Sequence, residues 1–176
     1  IHDYFFAKTV DQVRPGGLIV FITSTGTLDK ANSNVRRYIG ERAELIGAIR
    51  LPNTAFKNLA GTEVATDILV MRRREYPVAL DETWYHLSYT DDGIPVNEYF
   101  TDYPDLCLGK MQYDIGRFGP ESKYTTCVPD SRDFKEQLQE IVQRFSPDIY
   151  REPNQVSEKE ETIPADPNVP NFTLTV

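Results

Sequence analysis

The sequence predicts an α/β fold, on three observations. Residues 18–23 form an unbroken apolar, β-branched run, Leu18-Ile19-Val20-Phe21-Ile22-Thr23, and residues 45–51, Leu45-Ile46-Gly47-Ala48-Ile49-Arg50-Leu51, read as a second buried strand. Segments with a helical 3.6-residue period stand before the first run and between the two. Strands apolar on both faces fit a parallel sheet with helices on each side.

The elements follow in order. Tyr4, Phe5, Phe6, Val10 and Val13 share one face of a helix, with Lys8, Asp11 and Gln12 toward water. Arg14-Pro15-Gly16-Gly17 ends it, because Pro cannot continue the hydrogen-bond ladder and Gly accepts a left-handed cap. The first strand comes next, then a polar loop around Gly26. Asn32, Ser33 or Asn34 caps a second helix through Val35, Tyr38 and Ile39 to about Arg42. The second strand closes at Pro52. A loop around Phe56 and Gly61 leads to a third strand, Asp67-Ile68-Leu69-Val70-Met71. No helix separates the last two strands, so these two are expected to pair antiparallel.

Beyond Pro77 the pattern changes. Residues 83–89 read as an edge strand, 97–108 as a short helix or turn, and 115–120 as a Gly- and Pro-containing loop. Phe134, Leu138, Ile141, Val142 and Phe145 line one face of a helix started by Ser131 or Asp133. From Arg151 the chain is acidic and rich in Pro, the composition of an extended linker or tail. The expected organisation is an α/β block at 1–78, an α+β extension packed on it at 79–150, and the tail at 151–176.

Composition narrows the function. The formal net charge of −8 argues against an autonomous nucleic-acid binder, whose affinity comes largely from neutralised phosphates. No apolar run reaches the roughly 20 residues a membrane helix needs, and the opening residues lack the layout of a signal peptide. Cys107 and Cys127 have neither Cys-x-x-Cys nor His spacing and read as ordinary thiols in a reducing, cytoplasmic setting. His2 and His86 read as surface or partly satisfied imidazoles, and Asp91-Asp92-Gly93 as a turn. There is no phosphate loop, zinc-spaced cluster or nucleophile elbow, so neither catalytic nor metal-binding residues are assigned.

Residues 1–73 resemble the later motifs of N6-adenine DNA methyltransferases of restriction–modification systems and of mobile-element methylase–helicases. The resemblance rests on Arg14-Pro15-Gly16-Gly17 with its strand, and on the stretch from Ser24 to Asp29. It continues with Ile49-Arg50-Leu51-Pro52-Asn53-Thr54-Ala55-Phe56, then with Gly61-Thr62 ahead of Thr66-Asp67-Ile68-Leu69-Val70. Val96-Asn97-Glu98-Tyr99-Phe100, Tyr103-Pro104 and Leu108-Gly109-Lys110-Met111 extend it to about Tyr150.

The resemblance implies the C-terminal half of a Rossmann-like class I methyltransferase sheet with a small α+β extension. It implies a full-length enzyme that uses S-adenosylmethionine to methylate adenine N6 in DNA. The family's glycine-rich cofactor motif and Asn-Pro-Pro-Tyr/Phe motif have no match here, so the chain alone is expected to be inactive and its cofactor-binding residues are unknown. Phe56 is the candidate contact to the target base, or else a core residue folded onto the sheet. Lys57, Arg72, Arg73 and Arg74 are candidate phosphate contacts, or a solvated charge run. Ser24 to Thr27 mark a strand end where α/β ligand crevices form, or a plain loop. The expected partners are DNA, through the full-length protein, and a helicase or DNA-recognition domain in the same polypeptide. The alternative is a non-enzymatic module that docks one of those domains or a missing half-domain.

Overall fold

The computed structural model describes residues 2–115 and 123–145. Helix α1 (His2–Gln12) leads through Gly16, at φ 74°, into β1 (Leu18–Ser24). A short helix α2 (Gly26–Asp29) and helix α3 (Asn34–Arg42) precede β2 (Ala43–Leu51). A single turn, α4 (Lys57–Ala60), and a loop lead to β3 (Thr66–Arg73). Strands β4 (Leu87–Tyr89) and β5 (Pro95–Asn97) form a small hairpin that runs into α5 (Glu98–Asp102). A second hairpin joins β6 (Lys110–Ile115) to β7 (Lys123–Val128), and α6 (Phe134–Arg144) closes the described chain.

The expected Rossmann-like half-sheet is corrected by this topology. The described strands form sheets of three, two and two, and every strand pairing is antiparallel. In the largest sheet β3 lies between β1 and β2, so the two strands that could have run parallel never touch. The expected antiparallel pairing of β2 with β3 is present, with a bulge between Leu45 and Gly47. The error arose from reading β1 as covered on both faces. Ile19 is buried and Phe21 half-buried, but Val20 and Ile22 on the opposite face are 61% and 57% exposed. A continuous apolar run specifies a strand but does not say how many of its faces are covered, nor which neighbour it takes.

Parity along the strands builds two cores. Ile19 from β1, Ala48 from β2 and Leu69 and Met71 from β3 face α1 and α3, where Phe6, Val10 and Ile39 meet them. The same core takes in Trp84, Tyr85, Val96 and Phe100, so residues beyond Pro77 share it with the first block. On the opposite face Ile49, Leu51 and Ile68 pack under α6 through Leu138, Ile141 and Phe145. Helix α6 begins where Asp133 accepts a hydrogen bond from the Lys135 amide, 2.7 Å away.

Of the smaller expectations, the short helix or turn at 97–108 and the turn at Asp91-Asp92-Gly93 are present, and the edge strand at 83–89 differs. Residues 83–89 divide into a 3₁₀ turn (Thr83–Tyr85) and β4 rather than one edge strand. Residues 97–108 hold α5 and a 3₁₀ turn at Pro104–Leu106. Asp91-Asp92-Gly93 is the turn between β4 and β5, with Gly93 at φ 73°. The hairpin of β6 and β7 was not anticipated. The tail at 151–176 and most of the loop at 115–120 lie outside the described residues.

Candidate functional site

Because β1 and β2 point the same way with β3 between them, three connections gather at one end of the sheet. They are the start of α2 after Ser24, the loop after Leu51, and the segment entering Thr66. The hairpin of β6 and β7 stands against this end. Between them lies an open crevice of about 600 Å³. Its walls are Thr25 from the first connection, residues 61–65 from the third, and Ile115, Tyr124, Thr125 and Thr126 from the hairpin. The volume falls in the range of small-molecule sites, roughly 300–1,000 Å³. Asn53 Oδ1 and Thr66 Oγ1 are buried at this end with no hydrogen-bond partner among the described residues.

A buried ionic network supports the sheet behind the crevice. Arg50 and Asp67, on adjacent strands, are both fully buried and joined by two hydrogen bonds of 2.8 and 2.9 Å. Arg50 also reaches Asp29 at the end of α2, at 2.9 and 3.0 Å, and its guanidinium lies 4.4 Å from the Phe100 ring centroid. Burial alone would lower the Arg50 pKa, but Asp67 and Asp29 outweigh it and raise it above its ordinary value. Asp29 in turn accepts from the Asn97 amide at 3.0 Å, and the Asn97 side chain donates to the carbonyls of Leu28 and Trp84, both at 2.9 Å. Nothing in the spacing of Asp29, Arg50, Asp67 and Asn97 announces this cluster. The one available signal was a charged residue inside each of two apolar strand runs.

The candidate residues separate in space. Phe56 sits in the loop after β2 and is half-buried against the Ile49–Leu51 core, so it packs onto the sheet and does not line the crevice. Lys57 is exposed and pairs with Glu63, Nζ to Oε1 2.6 Å, across the turn capped by Gly61 at φ 63°. Arg72 and Arg73 end β3 and Arg74 follows it, roughly 20–26 Å from Thr66 at strand rise. Arg72 pairs with Glu44 at 2.6 Å, Arg73 donates to the Arg42 carbonyl at 2.7 Å, and Arg74 pairs with Glu82 at 2.7 Å. These arginines fasten the chain after β3 to α3 and β2, well away from Phe56 and Lys57. Ser24 lies at the end of β1, and the Thr27 hydroxyl is 3.0 Å from that of Thr23, a contact buried just behind Thr25.

His2 is exposed, and His86 is half-exposed with its Nε2 2.9 Å from Asp81. The thiols of Cys107 and Cys127 lie 3.8 Å apart, a meeting the sequence separation of 20 residues concealed. No group of three or more His, Cys, Asp or Glu side chains among the described residues is placed to hold a metal. No described helix is long and apolar enough to cross a membrane.

Part of the chain is similar to a curated protein, the "Defense against restriction protein B" of Escherichia phage P1, 30% identical over 77 residues. The match covers 43% of this chain and 3% of the phage protein, so the chain spans only a small part of that protein's length. No family model matches, and no solved structure matches.

Proposed function

We propose that this chain is part of a larger restriction-related protein that methylates adenine N6 in DNA, and that alone it does not catalyse. The observation that carries the reading is the likeness to a phage protein named for defense against restriction. The sequence resemblance around Leu51-Pro52 to Phe56 and Thr66 to Val70 points to the same biological setting. The crevice at this sheet end adds a place where a planar heterocycle could be received. Its lining supplies the neutral hydroxyls of Thr25, Thr62, Tyr124, Thr125 and Thr126, groups suited to a neutral hydrogen-bonding edge.

S-Adenosylmethionine does not fit this chain by itself. Asp29 and Asp67 are both committed to Arg50, and Glu63 at the crevice is paired with Lys57. No uncommitted carboxylate among these remains to hold ribose hydroxyls or face the sulfonium. The methyl donor and the adenine amino group would be handled by other parts of the full-length protein, in which Phe56 would have to turn from its packing against Ile49 and Leu51 to support the base.

The test is transfer of labelled methyl groups to adenine in duplex DNA by the full-length protein, compared with residues 1–176 alone. Full-length activity, none from the isolated chain, and a loss of about tenfold or more for Phe56→Ala with recovery in Phe56→Trp support the reading. Such a loss matches the ~1–3 kcal/mol of a base–aromatic stack. A full-length protein that leaves adenine unmethylated sinks it.

One observation favours a second reading, a non-enzymatic module that docks a helicase or DNA-recognition domain. The outer edge of β1 pairs with no described strand, and its side chains carry no charge. An uncharged, Pro-free edge is a template for another strand.

A further inference from the structure

The geometry points to Cys107 and Cys127 as an oxidisable dithiol that a hydroperoxide closes to a disulfide, fixing the hairpin wall of the crevice to the sheet. The proposal does not rest on the methyltransferase reading.

The two sulfurs are in contact at 3.8 Å, and both are free thiols. Closing them to the ~2.0 Å of a disulfide requires side-chain rotation and a modest approach of the two segments. Their environments differ. Cys107 is half-buried and lines a cavity of about 320 Å³ with Phe100, Pro104 and Met111, whereas Cys127 is fully buried on β7. A small peroxide therefore reaches Cys107 first. The Cys127 thiol, donating toward Cys107, and the nearby Arg50 charge hold Cys107 below the ordinary thiol value despite burial. The same hydrogen bond together with burial pushes Cys127 up, so Cys107 supplies the thiolate and Cys127 the resolving thiol.

The chemistry balances with the peroxide as oxidant. The Cys107 thiolate attacks one peroxide oxygen, the S–O bond forms, the O–O bond breaks, and the departing alkoxide takes a proton to leave as alcohol. Cys127 sulfur then attacks the sulfenic sulfur of Cys107. The S–S bond forms, the S–O bond breaks, and the hydroxide leaves with the Cys127 proton as water. Both thiols are oxidised by two electrons in total, and the peroxide is reduced to alcohol and water.

The position of the pair gives the bond a consequence. Cys107 bridges Arg50 on β2, where the Leu108 amide also donates to the Arg50 carbonyl at 2.9 Å. Cys127 directly follows the crevice residues Thr125 and Thr126, and its carbonyl accepts from the Asn53 amide at 2.7 Å. A bond between the two sulfurs would tie β7 to the segment braced on β2, and so hold the Tyr124–Thr126 wall at a set distance from the sheet end.

The experiment is treatment of the purified full chain with hydrogen peroxide or an alkyl hydroperoxide, then blocking of free thiols, trypsin digestion and mass spectrometry. Cleavage after Lys110 and Lys123 places the two cysteines on separate peptides. The expected result is one cross-linked species joining those peptides, about 2 Da lighter than their sum and reversed by dithiothreitol. Oxidised chain should also show at least a threefold slowing of amide exchange in β6 and β7, absent in Cys107→Ser. Recovery of Cys107 only as sulfinic or sulfonic acid, or of intermolecular links alone, overturns the proposal. The cross-link in wild-type protein decides the matter even if a cysteine variant folds poorly.

Discussion

Arg50 on β2 and Asp67 on β3 form a bidentate ion pair from which water is wholly excluded, Nε to Oδ1 at 2.8 Å and Nη2 to Oδ2 at 2.9 Å. The two residues are direct cross-strand partners, so sheet register itself sets their geometry. Asp29 completes the arrangement and links it, through the Asn97 amide, to the segment beyond Pro77.

Breaking this pair from one side should be more damaging than removing it whole. Asp67→Asn leaves a buried guanidinium with only partial compensation from Asp29, and the expected cost is about 3–5 kcal/mol. The double variant Arg50→Met with Asp67→Leu replaces the charges with apolar volume and should lose less than Asp67→Asn alone. Urea unfolding followed by circular dichroism measures both. A double variant as unstable as the sum of the singles would show that the pair does not act as a unit.

Gly40 carries a second constraint. A Cβ there would stand 2.5–2.6 Å from Cε1 and Cζ of Tyr85, a side chain only 1% exposed. Helix propensity favours Gly40→Ala by about 1 kcal/mol. Overpacking a buried ring costs typically 1–3 kcal/mol, and Tyr85 is boxed in by Trp84, at 5.0 Å between ring centroids, and by Arg37 above its face. The clash should win, giving net destabilisation. A melting temperature raised by Gly40→Ala would contradict the packing described here.

What was legible in the sequence follows from how local each signal is. Helix α1, strand β1 and helix α6 announced themselves through apolar period and caps, which depend on neighbours within a few residues. The β6 and β7 hairpin is a signal left unread: Lys110 to Ile115 alternates polar and apolar residues at the period of a strand, but residues 116–122 carry no tight two-residue turn sequence to join it to the next run. Sheet order was illegible for a different reason. Nothing in the composition of β3 says that it inserts between β1 and β2. Phe56 was correctly located in a loop at the sheet end, but the direction its ring takes depends on Ile49, Leu51 and α6, which are distant in sequence. The Cys107–Cys127 contact and the Arg50 network are likewise products of tertiary register.

Acid should weaken the start of α6 through Asp130. Its carboxylate accepts from the Arg132 amide at 2.8 Å, from the Arg132 side chain and from Gln137, and these bonds hold its pKa below the ordinary carboxylate value. A depressed folded-state pKa means that the stabilisation is present above the unfolded value and is lost as pH falls through the folded one. Asp130→Asn should therefore melt below wild type at pH 7, and the gap should narrow as pH drops below about 4. A gap that stays constant down to pH 2 would mean that the ionised carboxylate contributes nothing here.

The outer edge of β1 should control self-association. Val20 and Ile22 project from an uncharged strand that has no described neighbour beyond it, 61% and 57% exposed, with Phe5 at 56% close by on α1. Antiparallel pairing of two such edges would meet no like-charge opposition, and the net charge of −8 per chain is the main force against it. Raising salt shortens the reach of that repulsion, so association should increase with ionic strength. Val20→Lys and Ile22→Lys place a charge on the edge while deleting only exposed apolar surface, so stability should change by less than about 0.5 kcal/mol. Light scattering at high protein concentration and moderate salt should then report monomers for the variants and larger species for wild type. Wild-type protein that stays monomeric under those conditions would mean that β1 is not a free docking surface.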